Sequence, residues 1–224
     1  MADPAFQASR QNMVDGQLRP NRINAPDVLA RYQTLPRERF VPPKRQHLAY
    51  MDAAIELGHD RVMLSPLVSA HLVQGLHIQP TDHVLIVPAG TGYEVAVIAA
   101  LAGQVTALED EKLLLTQLKN NLQDVDEDVP LGNITTQAGG LSEGCAGAAP
   151  FDVIVIPGCV YDVPAPLIQQ LKPAGRLGCI MPGADGVPEL TIGHKQGKTL
   201  FKHALFETPL PFLPQAKASE TFVF

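Results

Sequence analysis

Residues 83–100, HVLIVPAGTGYEVAVIAA, constrain the fold of this chain more than any other stretch. Residues 83–87, HVLIV, are a short continuous apolar run, the pattern of a strand buried on both faces of a sheet. A turn containing Gly90 and Gly92 follows, and then an apolar helix over residues 95–101. Glycines at a strand-to-helix turn let the main chain approach a ligand closely, and the helix N-terminus faces that ligand. The plainer reading of the same residues is a tight strand–helix connection with no ligand at all.

The rest of the chain repeats this rhythm. Short apolar runs predict strands over residues 105–108, 133–136, 151–156 (FDVIVI) and 176–181. Between them, helices are predicted over residues 112–122 and 164–171, and Ser65-Pro66 opens a further helix ahead of the first strand. Strands alternating with helices make a parallel sheet covered on both faces. Residues 189–194 and 200–206 break the pattern: they read as two strands joined by Gln196-Gly197-Lys198, an antiparallel hairpin. The expected architecture is α/β, a mostly parallel seven-stranded sheet closed by that hairpin.

Upstream, residues 1–60 read as helical with proline breaks and no strand. Residues 13–18 form a short amphipathic stretch ended by Arg19-Pro20, and Asn24 or Asp27 caps a helix through Val28, Leu29 and Tyr32. The expected organisation is one domain: a helical N-terminal extension over 1–64, a core over 65–206 and a tail over 207–224. The Pro-rich segment 209–224 reads either as an edge strand or packed tail, or as a peptide that docks on a partner.

Composition removes several function classes. The net charge is −6 with no long basic run, which gives no electrostatic grip on nucleic acid or an anionic membrane. The apolar runs are strand-sized, so no membrane span is expected. The opening MADPAFQASRQ lacks a secretory pattern, and Cys145, Cys159 and Cys179 are scattered and odd in number, so a cytoplasmic setting is expected. No metal site is expected. His71, His77 and His83 lack ligand spacing, and the Asp124, Asp126, Asp128 series has Val129 and Thr135 where a calcium loop needs Gly and Glu. Cys159 reads as a small buried filler near the rim of the pocket.

The second predicted strand ends at Leu108-Glu109. An acid there suits the two hydroxyls of a ribose, though Glu109 also reads as a helix-capping acid beside Asp110 and Glu111.

The order VLIVPAGTGYEVAVIA, VTALE, APFDVIVI and LIQQLKPAGRL resembles the protein-L-isoaspartate O-methyltransferases. MVDGQLRP, LPRERFVPP and LAYMD extend the resemblance upstream and are more specific to the isoaspartyl branch. The resemblance implies a Rossmann-like class I methyltransferase with S-adenosylmethionine as cofactor and a protein or peptide partner bearing the acceptor carboxylate. It implies Gly90, Gly92, Tyr93 and Glu109 as cofactor-binding residues.

The chain departs from the family pattern at several places. The family's glycine loop reads acid-x-G-x-G-x-G-Y, and here Ile86 replaces the acid and Pro88 the first glycine. Proline fixes φ and removes an N–H, so a positive φ cannot fall there. Aligning the family's Thr-x-Ser-x-Pro on Pro66 puts Val62 and Leu64 at the hydroxyl positions, with Ser65 one residue late; Leu64 and Ser65 are the acceptor-site candidates. The family's Gly-Asp-Gly becomes Ala138-Gly139-Gly140. Two expectations follow: methyl transfer to a protein carboxylate, or a catalytically degenerate pseudoenzyme that serves as a binding or assembly subunit.

Overall fold

The computed structural model describes residues 3–214. At its centre are two strands whose side chains alternate between two buried clusters. In β3 (His83–Ile86), Val84 and Ile86 enter one cluster, while Leu85 and the following Val87 enter the other. β6 (Phe151–Cys159) does the same, with Val153 and Val155 on one side and Ile154 and Ile156 on the other. Both faces are dry, which is why these strands read as unbroken apolar runs.

The sheet has seven strands, in the order β5 (Ile134–Ala138), β4 (Gln104–Glu109), β3, β6, β7 (Leu171–Pro182), β8 (Pro188–Gln196) and β9 (Thr199–Glu207). β4, β5 and β7 join β3 and β6 in parallel. β8 and β9 close the sheet as the antiparallel hairpin expected from sequence, with Gly197 at φ 62 in its turn. α3 (Pro66–Gly75), α4 (Tyr93–Ala99), α5 (Lys112–Asp126) and α6 (Ala165–Gln170) cover the faces. The chain runs from β3 outward to β4 and β5 and returns on the other side as β6. The order reverses between β3 and β6, and a crevice opens outside the carboxyl ends of strands at such a switch point.

The N-terminal extension holds α1 (Pro4–Met13), a π turn over Val14–Leu18, and α2 (Pro26–Thr34). Ala25, not Asn24 or Asp27, is the N-cap of α2. Gln74 reaches over from α3 and accepts the N–H groups of Asn24 and Ala25 at 2.9 and 3.0 Å, so a tertiary contact does the work expected of a local cap. The expectation of no strand before residue 60 is corrected: β1 (Ile55–Gly58) pairs with β2 (Arg61–Met63) as a short hairpin. Its two-residue loop, His59 and Asp60, sits at φ 52 and 54. Asn-Gly normally supplies that conformation, and His-Asp does not advertise it.

Candidate functional site

The glycine turn is shaped by main-chain bonds. The Val87–Pro88 peptide is cis. Ala89 N–H donates to Leu108 O at 2.7 Å, and Gly92 N–H donates to Ala89 O at 3.1 Å. The positive φ values fall on Gly90 (56°) and Gly92 (100°), so Pro88 stands outside the left-handed positions of the turn. A Cβ on Gly92 would lie 2.6 Å from Leu118 Cδ1 on α5, which leaves no room for a side chain.

The N-terminal extension braces this turn from behind. Thr91 Oγ1 donates to Phe40 O at 2.7 Å, and Asn121 donates to Thr91 O at 3.0 Å. Tyr93 is fully buried, with its ring centroid 5.6 Å from that of Phe40 and 6.0 Å from that of Tyr32. The guanidinium of Arg37 lies 4.6 Å above the Tyr93 ring. Burial pushes the Tyr93 phenol up to about 12.

Glu109 ends β4 directly behind the turn and is wholly buried. Its Oε2 accepts the Gly90 N–H at 2.7 Å and its Oε1 accepts the Glu111 N–H at 3.1 Å. The third partner is Arg61 of β2, whose Nη2 lies 3.4 Å from Glu109 Oε1 and 2.5 Å from Asp110 Oδ1. His59, at the hairpin tip, approaches Glu111 at 3.7 Å. Two basic side chains of one hairpin thus face three consecutive acids. Burial raises the Glu109 carboxyl above its usual range, and the Glu111 N–H, Arg61 and the Gly90 N–H pull it back.

The crevice between these parts is lined by Leu57, Arg61, Val62 and Pro157 and by the turn and first residues of α4 (Pro88, Ala89, Gly90, Thr91, Glu94). It leaves about 10 Å³ for solvent, room for about one water molecule. Pockets for small-molecule ligands run from about 300 Å³ upward. In this closed arrangement the crevice itself holds no ligand of that size. Each Glu109 oxygen accepts one main-chain N–H and keeps a second lone pair, while Ile86 supplies no carboxylate where the family pattern has one. On the far side of the hairpin lies a groove of about 550 Å³ between residues 56–62 and the segment Pro211, Phe212 and Pro214. Arg61 and Val62 line both spaces and form the wall between them.

Of the residues proposed from sequence, Gly90 lines the crevice, Glu109 is bonded behind it, and Gly92 and Tyr93 pack against α5 and the N-terminal extension. Leu64 is wholly buried and its carbonyl accepts from Arg37 Nη2 at 2.5 Å. Ser65 caps α3, its Oγ accepting the Val68 N–H at 3.3 Å. Gly139 packs on Leu108, 3.2 Å from where its Cβ would stand.

Sequence reasoning missed Arg61, Glu94 and Arg37. Glu94 is buried, and desolvation raises its carboxyl despite the nearby charge of Arg37. Glu94 Oε1, Arg37 Nη1 and the Tyr93 hydroxyl are buried without a hydrogen-bond partner among the described residues. The available signal was an acid in the first turn of an otherwise apolar helix, YEVAVIA.

The other candidates are structural. Arg39 pairs with Asp124 at 3.5 Å and Asp128 at 2.6 Å, and Asp126 accepts the Leu131 N–H at 2.8 Å. His83 bonds Thr106 at 3.0 Å, and His71 meets the Phe206 ring at 5.0 Å. Cys159 is buried at the end of β6, its thiol pushed up to about 11 by desolvation. Among the described residues, no helix is long and apolar enough to cross a membrane.

A glycine turn after the central strand, an acid ending the next strand, and a sheet that closes on an antiparallel hairpin define a class I methyltransferase fold. A structure of a putative protein-L-isoaspartate O-methyltransferase from Plasmodium falciparum, in complex with S-adenosyl-L-homocysteine, shares it with a TM-score of 0.76 at 19% identity, over 92% of this chain and 98% of that one. A further protein-L-isoaspartate O-methyltransferase structure matches with a TM-score of 0.75 at 21% identity, over 91% of this chain and 65% of that one.

The sequence is more specific. The family model of protein-L-isoaspartate(D-aspartate) O-methyltransferase matches residues 8–208. The Aliivibrio fischeri protein-L-isoaspartate O-methyltransferase is 32% identical over 89% of this chain and 93% of its own length, and that of Koribacter versatilis 35% identical over 87% and 86%. The chain belongs to the protein-L-isoaspartate O-methyltransferase family.

Proposed function

We propose that this chain is a cytoplasmic protein carboxyl O-methyltransferase of the isoaspartyl type, with S-adenosylmethionine as donor and a protein or peptide as acceptor. The observation that carries this reading is the pairing of Glu109 with the Gly90 N–H at 2.7 Å, which keeps an acid against the glycine turn at the switch point of the sheet. Family membership over nearly the whole chain supports the donor and acceptor classes, and three free cysteines suit a reducing compartment. Gly90 and Glu109 are the residues we assign to the donor. A carboxylate acceptor is already ionised at neutral pH, so the protein needs no base. Its own side chains have to orient the acceptor and exclude water.

A second reading is favoured by one specific observation. The crevice is filled, and both expected acceptor hydroxyls are replaced by apolar side chains, Val62 and the buried Leu64. In that reading the fold is kept as a non-catalytic binding subunit. Incubation with S-adenosylmethionine and an isoaspartyl peptide, followed by mass spectrometry, separates the two. Methyl ester above an enzyme-free blank supports the first reading. None, beside an active control enzyme, supports the second. The proposed docking of the C-terminal segment falls largely on residues 215–224, which lie outside the described residues.

A further inference from the structure

Glu109 has two claimants. Its position at the end of β4 suits a donor ribose, yet Arg61 holds it at 3.4 Å and occupies the space in front of the glycine turn. Arg61 is itself buried, with only 7% of its side chain exposed, and its Nη2 is shared between Glu109 and Asp110. It arrives on a short hairpin whose tip is exposed, and Leu57 from the other strand of that hairpin lies against Gly90. Arg61 and Val62 line both the closed crevice and the groove of about 550 Å³ beyond it.

We propose that Arg61 is an internal competitor of the methyl donor: it latches the β1–β2 hairpin onto Glu109 and Asp110, and the donor binds only after the latch is released. This inference rests on the reading of the crevice as the donor site. When the binding-competent form is a minor one, the apparent affinity falls by the fraction of molecules that are open. Cutting the latch removes that penalty. The crevice and the groove then merge into one space large enough for a nucleoside-sized ligand.

Arg61 and His59 of the hairpin face Glu109, Asp110 and Glu111. Releasing the latch breaks the Arg61 pairs with Glu109 and Asp110, while Ile55 and Met63 keep the two strands anchored in the core. The latch also makes residue 61 a determinant of donor affinity on a strand that carries none of the family's expected hydroxyls.

The test is calorimetric titration of the full chain with S-adenosylhomocysteine, for the wild type, Arg61→Ala and Asp110→Asn. Arg61→Ala is expected to bind about tenfold tighter than the wild type, or better. Asp110→Asn, which loosens the latch and leaves Arg61 in place, is expected to fall between them. If Arg61→Ala does not fold, the Asp110→Asn comparison decides the matter. Equal affinity in all three proteins, including no binding in any, overturns the latch.

The same proteins are then given S-adenosylmethionine and an isoaspartyl peptide. Tighter binding by Arg61→Ala with no methyl ester in any protein leaves the latch standing and sinks the methyltransferase reading. Equal affinity with methyl ester in all sinks the latch and leaves the methyltransferase reading standing.

Discussion

The glycine turn and the β1–β2 hairpin meet at the same carboxylate, Glu109, and are held by different forces. The turn is fastened through the main chain: Ala89 to Leu108, Gly92 to Ala89, and Gly90 to the Glu109 side chain. It is buried throughout and braced by Phe40, Tyr93 and Asn121. The hairpin is fastened by side chains: Ile55 and Met63 are buried in the core, Arg61 pairs with Glu109 and Asp110, and the tip is exposed to solvent. Main-chain bonds tolerate change in the side chains they carry, which is how the turn keeps its path with Pro88 inside it. Side-chain bonds are rewritten by one substitution. The shape of the site is thus conservative, while what fills it is set by residues such as Arg61.

The comparison can be broken by mutation. The largest effect is expected at the shared carboxylate. Glu109→Ala removes the acceptor of two main-chain N–H groups and leaves Arg61 buried beside an empty space, and losing one partner of a buried pair costs about 3–5 kcal/mol. Urea denaturation measures it, and a loss under about 1 kcal/mol would mean the site is wetter than the geometry states.

Gly92→Ala comes next. The new Cβ meets Leu118 at 2.6 Å on a backbone at φ 100, and strain and overpacking together cost about 2–4 kcal/mol. A near-neutral Gly92→Ala would show that the turn is as adaptable as the hairpin.

A third prediction concerns the cluster behind the turn. Burial raises the Glu94 carboxyl above its ordinary value of 4.5. A raised folded-state pKa means the folded protein holds that proton more tightly than the unfolded chain. The associated stability is present below about 4.5 and is lost as pH rises through the higher folded value. Glu94→Gln removes this dependence. The stability of the variant relative to the wild type should therefore climb from pH 4 to pH 8 in paired thermal melts, and a flat difference would contradict the burial of an ionising group.

The smallest effect is expected at the hairpin tip. His59→Gly relieves a positive φ of 52, adds freedom to the unfolded chain and gives up the distant Glu111 contact. These oppose one another, and the net change should stay within about 0.5 kcal/mol. A large loss would mean that the His59 contact with Glu111, and not Arg61 alone, carries the latch.

Much of the fold was legible in the order of residues. HVLIV and FDVIVI announced strands dry on both faces, and the predicted turn at Gln196-Gly197-Lys198 became the β8–β9 hairpin. Ser65-Pro66 marked the start of α3 because cap chemistry is local. The helix before Leu35 was legible too, but its cap was not, since Gln74 reaches it from 49 and 50 residues away. The β1–β2 hairpin was invisible because its strands span four and three residues and its turn uses residues that rarely adopt positive φ. The places of Gly90 and Glu109 after successive strands were legible, and the structure puts them in contact at 2.7 Å. Tyr93 looked like a ligand residue beside the glycines, yet packs with Tyr32 and Phe40.

By itself, the sequence determined the alternation of strands and helices, the direction of most strands and the antiparallel hairpin that ends the sheet. Those follow from hydrophobic period and turn chemistry within a few residues of one another. Only the tertiary structure decided that Arg61 meets Glu109 and that Arg37 lies over Tyr93, because each pair joins residues 48 or more positions apart. No periodicity encodes such a pair. The folded sheet brings β2 and the end of β4 together, and a buried acid in a dry crevice is stable only with a counter-charge and main-chain donors close by.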